Sequence, residues 1–277
     1  VVSDATLNRF FAFHVIAVPL VLVMLVFLHI VALHKVGSNN PDGVEIKKKK
    51  DANGVPVDGI PFHPYYTVKD IVGVTVFLMI FAAIMFFAPE LGGWFLEHDN
   101  FVPANILQTP TEIKPLWYFT PFYSILRATT ENLVTYGLIP LIAIMALLTF
   151  FSVRNGMAKV AALVGGVVLL LGLVTLEAKL WGVILMGLSI MMFFLVPWLD
   201  RSPVKSVRYR GGLYKWALAI FTVAFIVLGW LGTQPASGVK VLLAQIGTII
   251  YFMFFLLMPW YTTLDKTKPV PERVTWK

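Results

Sequence analysis

Three of the chain's five histidines, His14, His29 and His34, lie in one apolar stretch, FHVIAVPLVLVMLVFLHIVALHK, over residues 13–35. A polar side chain at membrane depth needs a partner and marks a functional site by default. His14 and His29 are fifteen residues apart. At about 100° per residue that is about 60° beyond four full helical turns, so the two imidazoles share a broad face, about 22 Å apart along the axis. No acidic residue occupies the stretch to pair with them. The chemistry that suits two such imidazoles is axial ligation of two haem irons at different depths. Hydrogen bonds to neighbouring helices and a proton relay are the other uses. His34 differs: it lies about 140° round the helix from His29 and ends the span, so it belongs to the interface. There is no cysteine, which excludes disulfides, thiolate metal sites, cysteine nucleophiles and thioether-bound haem.

The elements that must carry these residues are membrane helices. Only 13% of residues are charged and 58% are hydrophobic, against about a quarter charged in soluble domains. Runs of roughly eighteen or more apolar residues predict seven spans, at 10–33, 71–89, 134–152, 159–176, 181–198, 215–232 and 243–262. The fold class is therefore all-α, a polytopic transmembrane helix bundle. The short connections RNGMA and TLEAK make 134–198 three antiparallel helices. The loop at 35–70 is polar and rich in turn residues, whereas that at 90–132 holds aromatics, prolines and carboxylates and reads as folded.

Seventeen of the twenty-two Lys and Arg fall in 35–70, 154–159, 201–215 and 266–277. The positive-inside rule then places the N-terminal end outside and the C-terminus in the cytoplasm. The net charge of +7 is thereby explained by topology, and no nucleic acid is expected as a partner. The opening VVSDATLNRFF has no starting Met or basic leader and reads as entered in the middle of something longer.

The segments TLNRFFAFH, HKVGSNNPDG, FHPYYTVKD, KPLWYFTPFYSILR and LLAQIGTIIYFMFFLLMP follow one another along the chain. Together they resemble cytochrome b of the respiratory cytochrome bc1 complex (complex III), from the family's fourth helix to its C-terminus. DRSPVKSVRYR and the KPVPERV ending are similar to proteobacterial members. The resemblance implies that His14 is an axial ligand of a low-potential b haem near the outer side, and His29 of a high-potential b haem near the inner side. Each iron would take its second histidine from a helix absent here. His34, Ser38, Lys69 and Asp70 match the inner quinone-reducing pocket, where a His and an Asp on opposite sides of a quinone can hydrogen-bond its carbonyls and deliver protons. Pro115, Leu116, Trp117 and Tyr118 match the wall of the outer quinol-oxidising site, with Tyr123 in the helix that follows. Aromatics around an apolar slot suit a quinone head group, and by composition alone they would equally make an interfacial belt.

The implied cofactors are two non-covalent b-type haems, with ubiquinol and ubiquinone as substrates. The implied partners are a Rieske iron–sulfur protein, cytochrome c1, a second copy in a homodimeric complex, lipid, and a missing N-terminal half of cytochrome b. The activity is that of a quinol–cytochrome c reductase in a bacterial inner membrane, coupled to proton translocation, with this chain an incomplete fragment. Its parts would be 1–70, helix and inner loop with the quinone-reducing site; 71–132, the quinol-oxidising side; 133–180, a hairpin; and 181–277, a C-terminal three-helix domain.

Several features depart from the family. Its Pro-Glu-Trp-Tyr motif is Pro115-Leu116-Trp117-Tyr118 here, so Glu112 and Glu131 are the candidate proton acceptors in place of the absent glutamate. About fifty residues after ILR form a hairpin that the family normally lacks, with no buried ionisable group expected in it. Many members space the two histidines one residue closer, so the first helix must absorb a residue locally, with Pro19 placed to help. The rival readings are a proton-coupled transporter and a stand-alone dihaem quinol dehydrogenase subunit.

Overall fold

The computed structural model describes residues 4–96, 98–103 and 114–275, without the side chains of 99 and 100. Its helices are α1 (Asp4–Val36), α2 (Tyr65–Phe87), α3 (Thr120–Ala128), α4 (Glu131–Ser152), α5 (Gly156–Thr175), α6 (Ala178–Leu199), α7 (Gly212–Gly232), α8 (Gly238–Leu256) and α9 (Met258–Leu264). All except α3 and α9 are long and apolar enough to cross a membrane, and they stand where the hydropathy runs predict seven spans. Most begin a few residues before the apolar run, because helical hydrogen bonding continues into the polar interface. The last predicted span, 243–262, is two helices. Pro259 falls at the start of α9, where its missing N–H costs nothing, and the chain breaks at Leu257.

The chain forms two compact units, 1–59 with 269–277, and 60–268. In the first, α1 ends at Gly37, whose φ of +87° is open to glycine at little cost. Lys47 Nζ donates to the carbonyl of Val36 at 2.7 Å, a cation on the negative end of the helix. The loop that follows is built from side-chain caps. Asn40 Oδ1 accepts from the amides of Asp42 and Val44, and Asp51 Oδ1 from those of Asn53 and Val55, closing a turn across the Lys50–Pro56 bridge. The C-terminal tail clasps this loop. Asp42, fully buried, accepts from the backbone amide (2.7 Å) and the hydroxyl (2.9 Å) of Thr275, and Arg273 donates twice to Asp58 Oδ1.

In the second unit the short helix α3 is the hub, packed against α6, α7 and α8. Its inward residues Ile125 and Ala128 are 0% and 1% exposed and belong to the same buried apolar cluster as Leu228, Tyr251, Phe255 and Met258. Two glycines allow this approach. A methyl on Gly232 of α7 would lie 2.1 Å from the carbonyl oxygen of Thr120, and one on Gly182 of α6 would lie 2.7 Å from that of Leu126. The hairpin α4–α5 joins the bundle through Leu133, Val134, Leu138 and Leu173, and through hydrogen bonds from Trp181 Nε1 to the Gly172 carbonyl and Trp260 Nε1 to Ser152 Oγ. Its outward valines and leucines are exposed, as are the apolar side chains of α1 and α2. Apolar surface of this extent belongs against lipid or other helices.

Candidate functional site

His14 sits in a single π-turn, Phe13–Ala17, the one interruption of α1, and His29 lies in regular helix fifteen residues on. Both are exposed on the helix surface, and neither imidazole has a hydrogen-bond partner among the described residues. Two imidazoles in a hydrocarbon segment, without a partner among the described residues, are a donor set suited to haem iron.

His34 occupies the last turn of α1 and Ser38 follows the capping Gly37, both exposed and both in the first unit. Lys69 and Asp70 lie near the start of α2 in the second unit, also exposed, with the Lys69 ammonium 5.4 Å from the centre of the Tyr66 ring. Each unit thus presents its own half of the predicted inner set at a helix end.

The outer loop builds a cleft. The Phe119 amide donates to the Leu116 carbonyl, and the Thr120 hydroxyl donates to that of Trp117 at 2.6 Å, folding 116–120 into a tight turn that enters α3. Trp117 and Tyr118 meet edge to face at 5.6 Å. Pro115, Leu116, Trp117 and Tyr118 line one side of a cavity of about 850 Å³, within the range of small-molecule sites. The opposite wall comes from α7, with Phe225, Ile226, Gly229 and Trp230, and the rim from Gly92, Gly93 and Trp94. Positive φ at Gly92 and Gly93 (+67° and +87°) turns the chain after α2 so that Trp94 reaches the cleft. Lys114 is the charged member of the lining among the described residues.

The remaining predicted residues are placed elsewhere. Tyr123 is not in the cleft lining; its ring carries the Arg127 guanidinium at 5.0 Å, and Arg127 donates onward to the Gln234 carbonyl. Glu131 opens α4, beyond the lining. Glu112 lies outside the described residues. Sequence reasoning missed the α7 and Gly92–Trp94 walls. The GGW turn was a visible signal, whereas nothing local in α7 distinguishes Phe225 or Trp230 from lipid-facing aromatics.

A family model described as cytochrome b (C-terminal)/b6/petD matches residues 103–252, and one described as cytochrome b (N-terminal)/b6/petB matches residues 1–95. The chain is 53% identical to a cytochrome b of Allochromatium vinosum over 99% of its own length and 57% of that protein's. It is 39% identical to one of Rickettsia bellii, over 99% and 54%. Among solved structures, a chain of a hyperthermophilic respiratory Complex III superposes with a TM-score of 0.69 at 30% identity, covering 95% of this chain and 53% of that one. The chain therefore spans about half the length of the relatives it matches. The expectation of an incomplete fragment without an N-terminal half is not borne out by the family models, the N-terminal one of which matches residues 1–95.

Proposed function

Since the chain belongs to the cytochrome b family, we propose that it serves as the cytochrome b subunit of a quinol–cytochrome c oxidoreductase, in a bacterial inner membrane with its N-terminal end outside. Family membership implies b-type haem. Bound at His14 and His29, two such haems would supply one-electron carriers at two depths of the bilayer. His14 and His29 would each supply one imidazole to a haem iron, and neither has a competing polar partner among the described residues.

The cleft behind the 115–118 loop carries the reading. Its volume and its aromatic walls suit the ring of ubiquinol, with Trp117 and Tyr118 excluding water from it. Leu116 cannot take a proton, so the quinol's proton passes to another base. Glu112 and Glu131 are the candidates, with Tyr123 and Arg127 between Glu131's helix and the cleft loop in sequence. Turnover unchanged by Gln at both positions would remove both acids from the mechanism. On the inner side, His34 and Ser38 of the first unit, and separately Lys69 and Asp70 of the second, offer groups that can hydrogen-bond or protonate a quinone carbonyl. A Rieske iron–sulfur protein and cytochrome c1 take up electrons from the outer site in a homodimeric complex, and the coupled release and uptake of protons builds a gradient.

The reduced-minus-oxidised visible spectrum of the complete protein in its membrane tests this. Two b-type components in the unaltered protein, and one in each of His14→Ala and His29→Ala, are the expected result. No b-type absorption would refute the reading and favour a proton relay through the imidazoles.

A further inference from the structure

The π-turn at Phe13–Ala17 is the one departure from α-helix in the 33 residues of α1, and it contains one of the two unpartnered intramembrane imidazoles. Wide turns of this kind arise where one residue is added to an α-helix, and they concentrate at functional sites. The Val18 amide donates to the Phe13 carbonyl, five residues back, where an α-helix would use His14. Pro19 follows and has no N–H. The carbonyl of His14 therefore loses its α-helical donor to Phe13, and the next residue cannot replace it. In hydrocarbon such a loss is retained only for a return.

Proline alone does not explain the turn. Pro197 lies inside α6, which stays α-helical over Ala178–Leu199. The second π-turn, Val134–Leu138 in α4, repeats the arrangement: Ile139 donates five residues back to Val134, and Pro140 comes next. In both helices the wide turn stands just before a proline that would otherwise press on the carbonyl four residues earlier. A proline accompanies the device in both helices, and in α1 the wide turn falls on His14.

We propose that the Phe13–Ala17 turn is a register device for His14: it absorbs one residue, so that the imidazole is presented as an uninterrupted helix with one residue fewer would present it. Fifteen α-helical residues would put His14 and His29 about 60° past four turns; with one absorbed they stand about 40° short of four turns. The turn thus swings His14 by about 100° and draws it about 1.5 Å nearer His29 along the axis. Pro19 acts as a positioning residue through this turn. This inference rests on the haem reading above, because only a ligand fixed at both ends by a rigid group needs its angle held so closely.

The experiment uses the complete protein in its native membrane, with haem b per protein measured chemically and the two components separated by redox titration. Deleting Ile16 removes the residue that the wide turn absorbs, and both components are expected to remain. Inserting an alanine between Leu22 and Val23, in regular helix, turns His14 out of register, and the His14 component is expected to vanish, a twofold fall in haem, while the His29 component stays as the control for folding. Loss of the His14 component on deleting Ile16 would overturn the inference, as would loss of both components when the deletion is combined with Pro19→Ala, which removes the ring that the wide turn accommodates. Full haem content in the insertion variant would overturn it too. An unaltered protein without b haem would instead refute the function proposed above, and this inference with it.

Discussion

Gly232→Ala tests whether the packing of α3 sets the outer cleft. The new methyl would lie 2.1 Å from the Thr120 carbonyl oxygen and 2.8 Å from Thr120 Cβ, so α3 and α7 must part by about 1 Å. Neither side can yield by a rotamer change, because the obstacle is backbone and Thr120 is 3% exposed. Overpacking of this kind costs about 1–3 kcal/mol, roughly a 5- to 150-fold change in an equilibrium. For a chain of this size it lowers the melting temperature by about 2–4 °C per kcal/mol. Thr120 begins the helix that the 115–118 wall leads into, and Trp230 of the opposite wall is two residues from Gly232. The displacement therefore reaches both faces of the cleft. The assay is thermal unfolding in detergent beside the affinity of a quinol analogue for the outer site, and both are expected to fall together. Gly182→Ala, 2.7 Å from the Leu126 carbonyl, should do less, and Gly247→Ala, 3.1 Å from the movable Leu228 side chain, least. A Gly232→Ala protein with unchanged melting and unchanged affinity would refute the argument that backbone contact at α3 shapes the site.

Asp42→Ala removes the acceptor of both Thr275 hydrogen bonds from a fully buried position. At about 1.5–3 kcal/mol for hydrogen bonds to a charged group, the tail should come free, with faster amide exchange over 37–59. The Arg273 guanidinium, hydrogen-bonded to Asp58, holds that carboxyl below the usual aspartate range. A lowered folded pKa means that the stability it contributes is complete above the unfolded value, near 3.9, and is lost as pH falls through the folded one. Proteolysis of the tail should thus be the same at pH 7 and about pH 5 and rise only below about pH 4; a rise already near pH 6 would argue against Asp58 as the anchor. Asp265→Ala should cost about 1 kcal/mol, as for loss of a helix cap, because its carboxylate accepts from the Gly211 amide at 2.7 Å and the Tyr214 amide at 3.4 Å. A melting temperature equal to that of the unaltered protein would show that α7 does not need this cap.

Much of this protein was legible along the chain because membrane burial is a local constraint. A helix in lipid must be apolar over its own length, so composition alone located the seven spans, and an imidazole within one stands out against its neighbours. Gly37, KPLWY and the basic loops likewise announce themselves, since a positive φ, a turn and an interface each select residues within a few positions.

What only the tertiary structure decided involves groups brought together from far apart. The second wall of the cleft is α7, about 110 residues beyond Trp117. The cap of α7 is Asp265, 54 residues after Gly211, and the clasp on Asp42 comes from Thr275, 233 residues on. Hydropathy cannot report such pairs, because a carboxylate looks the same whether it is solvated or accepting from a distant amide. The π-turn lies between these cases. The resemblance leads one to expect that helix α1 absorbs a residue, but whether by bend, wide turn or slip was a matter of backbone hydrogen bonds. The structure places it at Phe13–Ala17, where Pro19 had already removed a donor from the ladder.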